Sequence, residues 1–242
     1  AYTYVLENLS KDFGAEILKH IETNFPQITF EDMRAFILLN DKYGGTVKSI
    51  FTTNKMKLLY CSPSTLRYIL HALLILNYYK ETMCKNVLEL GQGYGGLFLA
   101  INMFANKFPG VTIRKYIMVD LPNSSNLTRK YLEAHSNVIT IPYEIYDSIS
   151  LPSVIPTTTE AQSPNECFFI SNYCFTALDS PTMAKYAEAL IKPCTHGFLV
   201  WQTIFGENIE NTDSYLGKNT IKKTLEEPLT APANIPNYFV YF

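Results

Sequence analysis

Four glycines lie within six positions, directly after a short apolar run. The run is "NVLEL" (86–90), and the glycines that follow it are Gly91, Gly93, Gly95 and Gly96. Because glycine has no Cβ and adopts positive φ readily, such a turn lets the backbone approach a ligand closely. A turn between a strand and a helix also directs backbone N–H groups outward. The spacing predicts a cofactor-binding loop, and a ligand-free tight turn is the weaker alternative.

Two cofactor classes fit the glycine spacing. Gly91-x-Gly93-x-x-Gly96 matches a dinucleotide fingerprint, and Gly91-x-Gly93-x-Gly95 preceded by Glu89 equally matches the E-x-G-x-G-x-G loop of S-adenosylmethionine enzymes. A carboxylate at Glu89 would repel a pyrophosphate, whereas it suits a ligand that carries an ammonium and a sulfonium group. Glu89 therefore favours the methyl donor.

Two further observations bear on the cofactor. Asp120 ends the next predicted strand, where a carboxylate can accept both ribose hydroxyls, and both cofactor classes use an acid there. The segment 86–242 has the length of a compact seven-strand methyltransferase core, which leaves no room for the second domain of a dehydrogenase. The segment length favours S-adenosylmethionine, and Asp120 is compatible with either cofactor.

The elements that must position this loop follow from hydrophobic patterning. After residue 86, short apolar runs alternate with helical periodicity, as in a parallel sheet with crossover helices. The predicted strands are 86–90, 115–120, 137–141, 167–171, 197–202 and 237–242. Residues 1–85 show three helical patterns and no strand signal. We predict an α/β, doubly wound, Rossmann-like seven-stranded sheet in a cofactor-binding domain (86–242), preceded by a helical lobe (1–85).

Composition excludes several classes of function. Lys and Arg number 20 against 22 Asp and Glu, without a run of like charge, so no nucleic-acid partner is expected. No apolar stretch reaches the roughly 20 residues of a membrane span, and no secretory signal is visible, so we expect a cytoplasmic protein. The five cysteines lack C-x-x-C spacing, and without an H-x-H or D-x-D cluster we predict no metal site.

Longer segments resemble a known family over most of the chain. These segments are "NDKYGG" (40–45), "SPSTLRYILHALLI" (62–75), "VLELGQGYGGLFLAI" (87–101), "YIMVDLPNSSNLTRKYLE" (116–133) and "FFISNYCF" (168–175). They resemble the class I S-adenosylmethionine-dependent methyltransferases, and within them a set of sugar O-methyltransferases. Two departures stand out: Gln92 replaces the middle glycine of the family's E-x-G-G-G-Y-G-G loop, and Gly45-Thr46 stand where Asn-Pro is usual.

The resemblance implies S-adenosylmethionine as the cofactor and a sugar acceptor, either a nucleotide sugar or a glycan residue, in glycan biosynthesis. The residues that we predict to contact the cofactor are Glu89, Gly91, Gln92, Gly93, Tyr94, Gly95, Asp120, Leu121, Asp147 and Ser171. Methyl transfer is an in-line displacement, so the protein must align the acceptor and help to remove its proton.

Candidate catalytic residues follow from position. Asn172 and Tyr173 come directly after the fourth predicted strand and are expected beside the methyl group, as the resemblance also implies. His71 is a further candidate, although a packed histidine is the better interpretation of its helix position. Glu144 and Asp147, placed after the third predicted strand, a nearby tyrosine or a metal remain alternatives for the base.

The acceptor side is predicted from polyol chemistry. Aromatic and amide side chains suit a sugar through a flat apolar face and directed hydrogen bonds. The candidates are Tyr60, Tyr68, Asn40 and Gln202. The helical lobe equally suits the interface of a homodimer.

Two other functions stay open at this point. An NAD-dependent oxidoreductase could use the Gly91-x-Gly93-x-x-Gly96 turn. A non-catalytic methyltransferase-like scaffold could keep the loop without turnover.

Overall fold

The computed structural model describes residues 9–148, 167–217 and 221–242. The polar, threonine-rich stretch at 156–166, whose composition predicts a loop, lies outside the described residues. The chain divides into two compact units. A helical unit comprises Ala1–Tyr78 with Gly96–Val111, and a sheet unit comprises Tyr79–Gly95 with Thr112–Phe242. The division into domains at 1–85 and 86–242 stays a prediction.

The helical unit begins with two helices that the sequence predicts. Ser10 accepts a hydrogen bond from the Phe13 amide at the start of the first helix. Thr29 and Asp32 form a reciprocal capping box at the start of the second. The helices around the unit are α1 (Lys11–Asn24), α2 (Phe30–Asn40), α3 (Pro63–Tyr79) and α4 (Gly96–Phe104), the last followed by a 3-10 turn at Ala105–Lys107.

A hairpin corrects the prediction that residues 1–85 contain no strand. Strands β1 (Ser49–Thr52) and β2 (Leu58–Cys61) pair antiparallel. Their buried face contains Phe51, Leu59 and Cys61. The two runs are only four residues long, so their alternation of buried and exposed residues is too brief to stand out from the helical patterns around them.

The sheet unit contains a seven-stranded sheet in the order β5-β4-β3-β6-β7-β9-β8. Its strands are β3 (Asn86–Leu90), β4 (Lys115–Asp120), β5 (Tyr143–Asp147), β6 (Cys167–Asn172), β7 (His196–Gln202), β8 (Lys222–Leu225) and β9 (Asn237–Tyr241). All neighbouring pairs are parallel except β7–β9 and β8–β9. The predicted doubly wound α/β fold is confirmed. Because β4 and β6 flank β3 on opposite sides, the strand order reverses at β3, where such sheets bind ligands.

The core on one face of the sheet contains the single tryptophan of the chain. Trp201 is fully buried, and its ring lies 6.1 Å from that of Phe175 and 6.2 Å from that of Tyr215. The helical elements of this unit are α5 (Pro122–Glu133), α6 (Ser180–Tyr186) with a π-helical continuation at Ala187–Ile191, α7 (Thr212–Leu216), and 3-10 turns at Phe175–Ala177 and Ile209–Asn211.

Two strands differ from the prediction. The third predicted strand at 137–141 is wrong: the strand is β5, and the preceding residues form a turn in which the Val138 amide donates to the His135 carbonyl. Pro142 has no N–H to give to a ladder, and β5 begins directly after it. Strand β8, with the sequence "KKTL", has no apolar pattern because it is a lysine-bearing edge strand.

Among the described residues, no helix is both long enough and apolar enough to cross a lipid bilayer.

Candidate functional site

The turn after β3 has a backbone that favours glycine. Gly91, Gly93 and Gly95 have φ values of 83°, 60° and 96°. These values lie in the left-handed region, where a Cβ crowds the following carbonyl. The alternation of glycines with Gln92 and Tyr94 therefore matches an alternation in backbone conformation.

Two of these glycines are also required by packing within the sheet unit. A Cβ on Gly91 would overlap the Cβ and Sγ of Cys174, which follows β6. A Cβ on Gly95 would lie 3.0 Å from Cγ2 of Thr128 and 3.3 Å from Cδ2 of Leu132, both on α5. The loop thus packs closely against two elements of its own unit, and its glycine content has a structural cause in addition to any ligand.

The amides of the same three glycines already have acceptors. Gly91 N donates to Val119 O at 2.8 Å, and Gly95 N donates to Gln92 O at 3.0 Å. Gly93 N donates to Oδ2 of Asp120 at 2.9 Å. A pyrophosphate site needs free backbone donors. These three amides are unavailable to an anion in this conformation.

Asp120 holds the turn against the end of β4. Its Oδ1 accepts a hydrogen bond from the Leu121 amide at 2.7 Å, and its Oδ2 accepts the one from Gly93. The Ser124 side chain also hydrogen-bonds to this carboxylate, which has about four acceptor positions, so Asp120 keeps room for a ribose hydroxyl. Burial raises the pKa of Asp120, and the backbone amides of Leu121 and Gly93 oppose that rise. Asp147 lies opposite Asp120 in the β4–β5 ladder.

Glu89 is a second buried acid beside the turn. It is 2% exposed, and its Oε2 accepts a hydrogen bond from the Tyr116 hydroxyl at 2.9 Å. Burial raises its pKa to about 8, and the nearby negative charge of Asp120 adds to the rise. None of the ion pairs among the described residues includes Glu89 or Asp120. The site therefore has acidic groups without a compensating cation.

Gln92, which replaces a glycine of the family loop, turns its side chain toward α5. It is 3% exposed, and its Nε2 lies 3.5 Å from the hydroxyls of Ser125 and Thr128. No described residue provides a partner for its Oε1. The hydroxyl of Thr128 donates to Gly93 O at 2.8 Å, and the Tyr94 ring packs edge-on against Tyr131, 5.0 Å away. Helix α5 therefore supports the loop from one side.

Residues at the end of β6 join the loop to the rest of the sheet. The Ser171 hydroxyl donates to Leu90 O at 3.0 Å and accepts from the Phe175 amide at 3.2 Å. Asn172 is the last residue of β6. Tyr173 has a φ of 58°, which is uncommon for a non-glycine residue, and its hydroxyl donates to the carboxylate of Glu226. The predicted residues of this segment thus lie at the carboxyl edge of β3 and β6.

Glu226 is a site candidate that sequence reasoning missed. It is 3% exposed and follows β8. Its sequence neighbourhood, "LEEPLT", has no motif, so only the tertiary contact with Tyr173 identifies it.

Two loop acids and a glutamine were placed by sequence near this edge. Glu144 lies inside β5, 2.7 Å from Lys115 in an ion pair, and accepts a hydrogen bond from Tyr146 at 2.6 Å. Lys115 and Tyr146 lower the pKa of Glu144. Asp147 is the last residue of β5, so the expectation that both acids follow this strand is wrong. Gln202 ends β7, opposite Asn237 of β9.

The remaining predicted residues belong to the helical unit. The Asn40 amide donates to the hydroxyl of Thr65 at 2.9 Å, and Thr65, at the start of α3, donates in turn to Asp41, which follows α2. Tyr60 lies on β2 and is largely exposed, and Tyr68 is half-buried on α3. His71 is buried, which lowers its pKa to about 3. The roles of these residues stay predictions.

The comparisons with known proteins give the fold. No protein-family model and no curated protein matches the sequence. The CMeT domain of citrinin polyketide synthase matches with a TM-score of 0.50 and 16% identity, over 75% of this chain and 53% of that chain. The O-methyltransferase TomG from Streptomyces achromogenes, solved with S-adenosylmethionine, matches with a TM-score of 0.49 and 11% identity, over 96% of this chain and 97% of that one.

The small RNA methyltransferase HEN1 matches with a TM-score of 0.47 and 14% identity, over 71% of this chain. The chain thus spans only 24% of HEN1 and about half of the citrinin synthase domain. Together with the strand order, the likeness to the CMeT domain shows the Rossmann-like methyltransferase fold.

Proposed function

We propose that this protein is an S-adenosylmethionine-dependent O-methyltransferase whose acceptor is a sugar hydroxyl, on a nucleotide sugar or a glycan residue. The fold supports methyl transfer. The sugar acceptor is supported by the sequence resemblance of the segments at 40–45, 62–75 and 87–101.

One observation carries the choice of cofactor. The amides of Gly91, Gly93 and Gly95 donate to acceptors of the protein itself, while Glu89 and Asp120 have no cationic partner among the described residues. A dinucleotide would bring two phosphate charges beside the Asp120 carboxylate, to a turn in which these three amides already donate elsewhere. S-adenosylmethionine instead brings an ammonium, a sulfonium and two ribose hydroxyls. Acids and hydrogen-bond acceptors pair with all of these groups, so the residues fit this cofactor.

The chain's own residues then have distinct tasks. Asp120 would hold the ribose through the acceptor capacity that its carboxylate keeps beside Gly93, Leu121 and Ser124. Glu89 would balance positive charge from beneath the turn. When bound, the cofactor supplies a methyl group on a positively charged sulfur. Asn172 and Tyr173, at the carboxyl edge of β6, would orient the acceptor hydroxyl for in-line attack.

Calorimetric titration of the full chain tests the cofactor, with S-adenosylhomocysteine and NAD as separate ligands. We expect binding of S-adenosylhomocysteine and none of NAD. Binding of NAD alone would overturn the proposal in favour of an oxidoreductase. Transfer of labelled methyl groups to a panel of nucleotide sugars and methyl glycosides tests the acceptor. Cofactor binding without any transfer would contradict the sugar acceptor and favour a non-catalytic methyltransferase-like scaffold.

A further inference from the structure

A row of polar side chains crosses three strands at the carboxyl end of β7. Gln202 of β7 lies directly opposite Asn237 of β9. On the other side of β9, the Glu226 amide donates to the Asn237 carbonyl at 3.0 Å, which extends the β8–β9 register by one residue. Directly opposed residues place their side chains on the same face of a sheet. Gln202, Asn237 and Glu226 therefore share one face.

Tyr173 reaches this row from β6. Its hydroxyl donates to Oε1 of Glu226, although β7 and β9 lie between β6 and β8 in the sheet. The two side chains must meet above the ends of the two intervening strands, beside Gln202 and Asn237. The positive φ of Tyr173 is part of this arrangement, because it sets the direction in which the side chain leaves the end of β6.

Glu226 orients the hydrogen-bond donors of the residues around it. Its Oε2 accepts hydrogen bonds from the Thr230 amide at 3.0 Å, the Thr230 hydroxyl at 2.7 Å and Nδ2 of Asn237 at 2.9 Å. The carboxylate accepts only, so the amide nitrogen of Asn237 must face it and Oδ1 must face away. The single proton of the Tyr173 hydroxyl is directed at Glu226 in the same way.

Two acceptor atoms of the row have no donor. Oδ1 of Asn237 and Oε1 of Gln202 are shielded from solvent, and no residue in the described part of the chain donates to either. Asn237 itself is 4% exposed. Buried acceptors without a partner are costly, so native proteins seldom keep them unless a ligand or an ordered water supplies the donor.

We propose that Tyr173, Gln202 and Asn237 form the acceptor subsite, and that it binds the hydroxyl groups of a polyol. The inference rests on the proposed function and adds the residues that recognise the acceptor. Gln202 and Asn237 offer the two acceptor atoms without a donor, so a ligand that meets them must donate hydrogen bonds. Glu226 is a positioning residue, because it orients Tyr173 and Asn237. Its Oε2 already accepts three hydrogen bonds from the protein and has none left to accept from the ligand.

Saturation-transfer NMR on the protein loaded with S-adenosylhomocysteine tests this subsite. The probes are methyl α-D-glucopyranoside, methyl α-D-mannopyranoside, methyl α-L-rhamnopyranoside and myo-inositol, and the matched control ligand is permethylated methyl glucoside, which cannot donate. We expect at least one of the four probes to bind and the permethylated control to fail. We expect Gln202→Met to weaken that probe about tenfold, the effect of one lost hydrogen bond. We expect Tyr173→Phe to weaken it as well, because Glu226 then loses the donor on its Oε1.

A stability measurement separates recognition from a structural role. Gln202→Met removes an unpaired acceptor, so we expect its melting temperature to be equal to or above that of the wild type while probe binding falls. Tyr238→Phe, on the opposite face of β9, and Gln27→Met, on the surface of the helical unit, are the matched controls and should bind the probe normally.

Three results would overturn the subsite. The first is that no probe binds the loaded wild type, and the second is that Gln202→Met and Tyr173→Phe bind the probe like the wild type. The third is a crystal structure, soaked with the probes, that shows only water on Oε1 of Gln202 and Oδ1 of Asn237. Calorimetry with S-adenosylhomocysteine keeps the two proposals apart. If the wild type does not bind S-adenosylhomocysteine, the proposed function is contradicted. If it binds S-adenosylhomocysteine but none of the probes, only the subsite is contradicted.

Discussion

Oδ2 of Asp120 accepts a hydrogen bond from the amide of Gly93 at 2.9 Å, so the carboxylate proposed to hold the ribose also holds the glycine turn. A ligand that bonds to Asp120 is therefore coupled to the conformation of the loop. The same carboxylate accepts from the Leu121 amide, which fixes its plane at the end of β4.

Asp120→Ala should weaken binding of S-adenosylhomocysteine about 10- to 100-fold, because two acceptor oxygens for the ribose are lost. It should also lower the free energy of unfolding by roughly 1–3 kcal/mol, since the amides of Gly93 and Leu121 lose their partner. Calorimetry and urea unfolding measure the two effects. Asp179→Ala, which removes the cap of α6, is the control that lowers stability alone. Wild-type affinity in a folded Asp120→Asn or Asp120→Ala protein would refute the ribose role.

Glu89 should make cofactor binding depend on pH. Its pKa of about 8 in the ligand-free protein means that it is mostly protonated at pH 7. A bound cation favours the carboxylate, so binding should release a proton and the affinity should rise as the pH rises toward 8. Calorimetry in two buffers of different ionisation enthalpy counts that proton. Glu89→Gln should bind without the release, and an equal release in this variant would assign the proton elsewhere.

Glu89 should also make stability fall between pH 4.5 and about 8. The folded protein keeps its proton up to about pH 8, while the unfolded chain loses it near the ordinary value of 4.5. The folded state binds more protons between these values, so the free energy of unfolding should fall as the pH rises through this window. Urea unfolding at pH 5.5 and pH 8 should show the decline in the wild type and a smaller decline in Glu89→Gln. Equal slopes would contradict the burial of a neutral acid.

His71 should change the free energy of unfolding with pH in the opposite direction, at acid pH. Burial holds its folded pKa at about 3 against an ordinary 6.5, so the unfolded chain binds the extra proton between these values. Stability should therefore fall as the pH drops below 6.5. Urea unfolding at pH 7 and pH 5 should show a smaller loss for His71→Gln than for the wild type. An equal loss in the wild type and His71→Gln would contradict the burial of a neutral imidazole at this position.

Gly91→Ala should destabilise the sheet unit more than an ordinary positive-φ glycine. Gly206, with φ 90° and no atom within 4 Å of its missing Cβ, isolates the backbone effect, about 1–2 kcal/mol on mutation to alanine. Gly91 has φ 83° and its Cβ would overlap Cys174, which adds roughly 1–3 kcal/mol. Urea unfolding of both variants gives the difference, and Cys174→Gly should recover part of it. Equal losses at the two positions would contradict the close contact.

Local patterning predicts the elements of this protein where the pattern is long or strongly apolar. The runs at 86–90 and 115–120 become β3 and β4 unchanged, and helices α1, α2 and α3 lie within the segment 1–85 that shows three helical patterns. The third strand was predicted at "NVITI" because that run has strand composition. The turn at His135 and the missing N–H of Pro142 keep these residues out of the sheet, so β5 begins only after Pro142.

Features that depend on tertiary contacts could not be predicted. The glycine spacing fits two cofactors. What distinguishes them is that the Gly91 amide already donates to the carbonyl of Val119 on β4, and the sequence does not show this contact. Glu226 joins the candidate site only through the β8–β9 register and the bridge from Tyr173, 53 positions away in the sequence. Such a pairing has no local signature.

The position of Trp201 has a practical consequence. It is the single tryptophan, it is fully buried, and its chain neighbour is Gln202. Its fluorescence therefore reports on the interior of the sheet unit without any label, and the emission should shift to longer wavelength when that interior opens to water. Because Trp201 and Gln202 occupy successive positions of one strand, a quenching or spectral change on addition of a polyol would give an optical titration of the acceptor subsite.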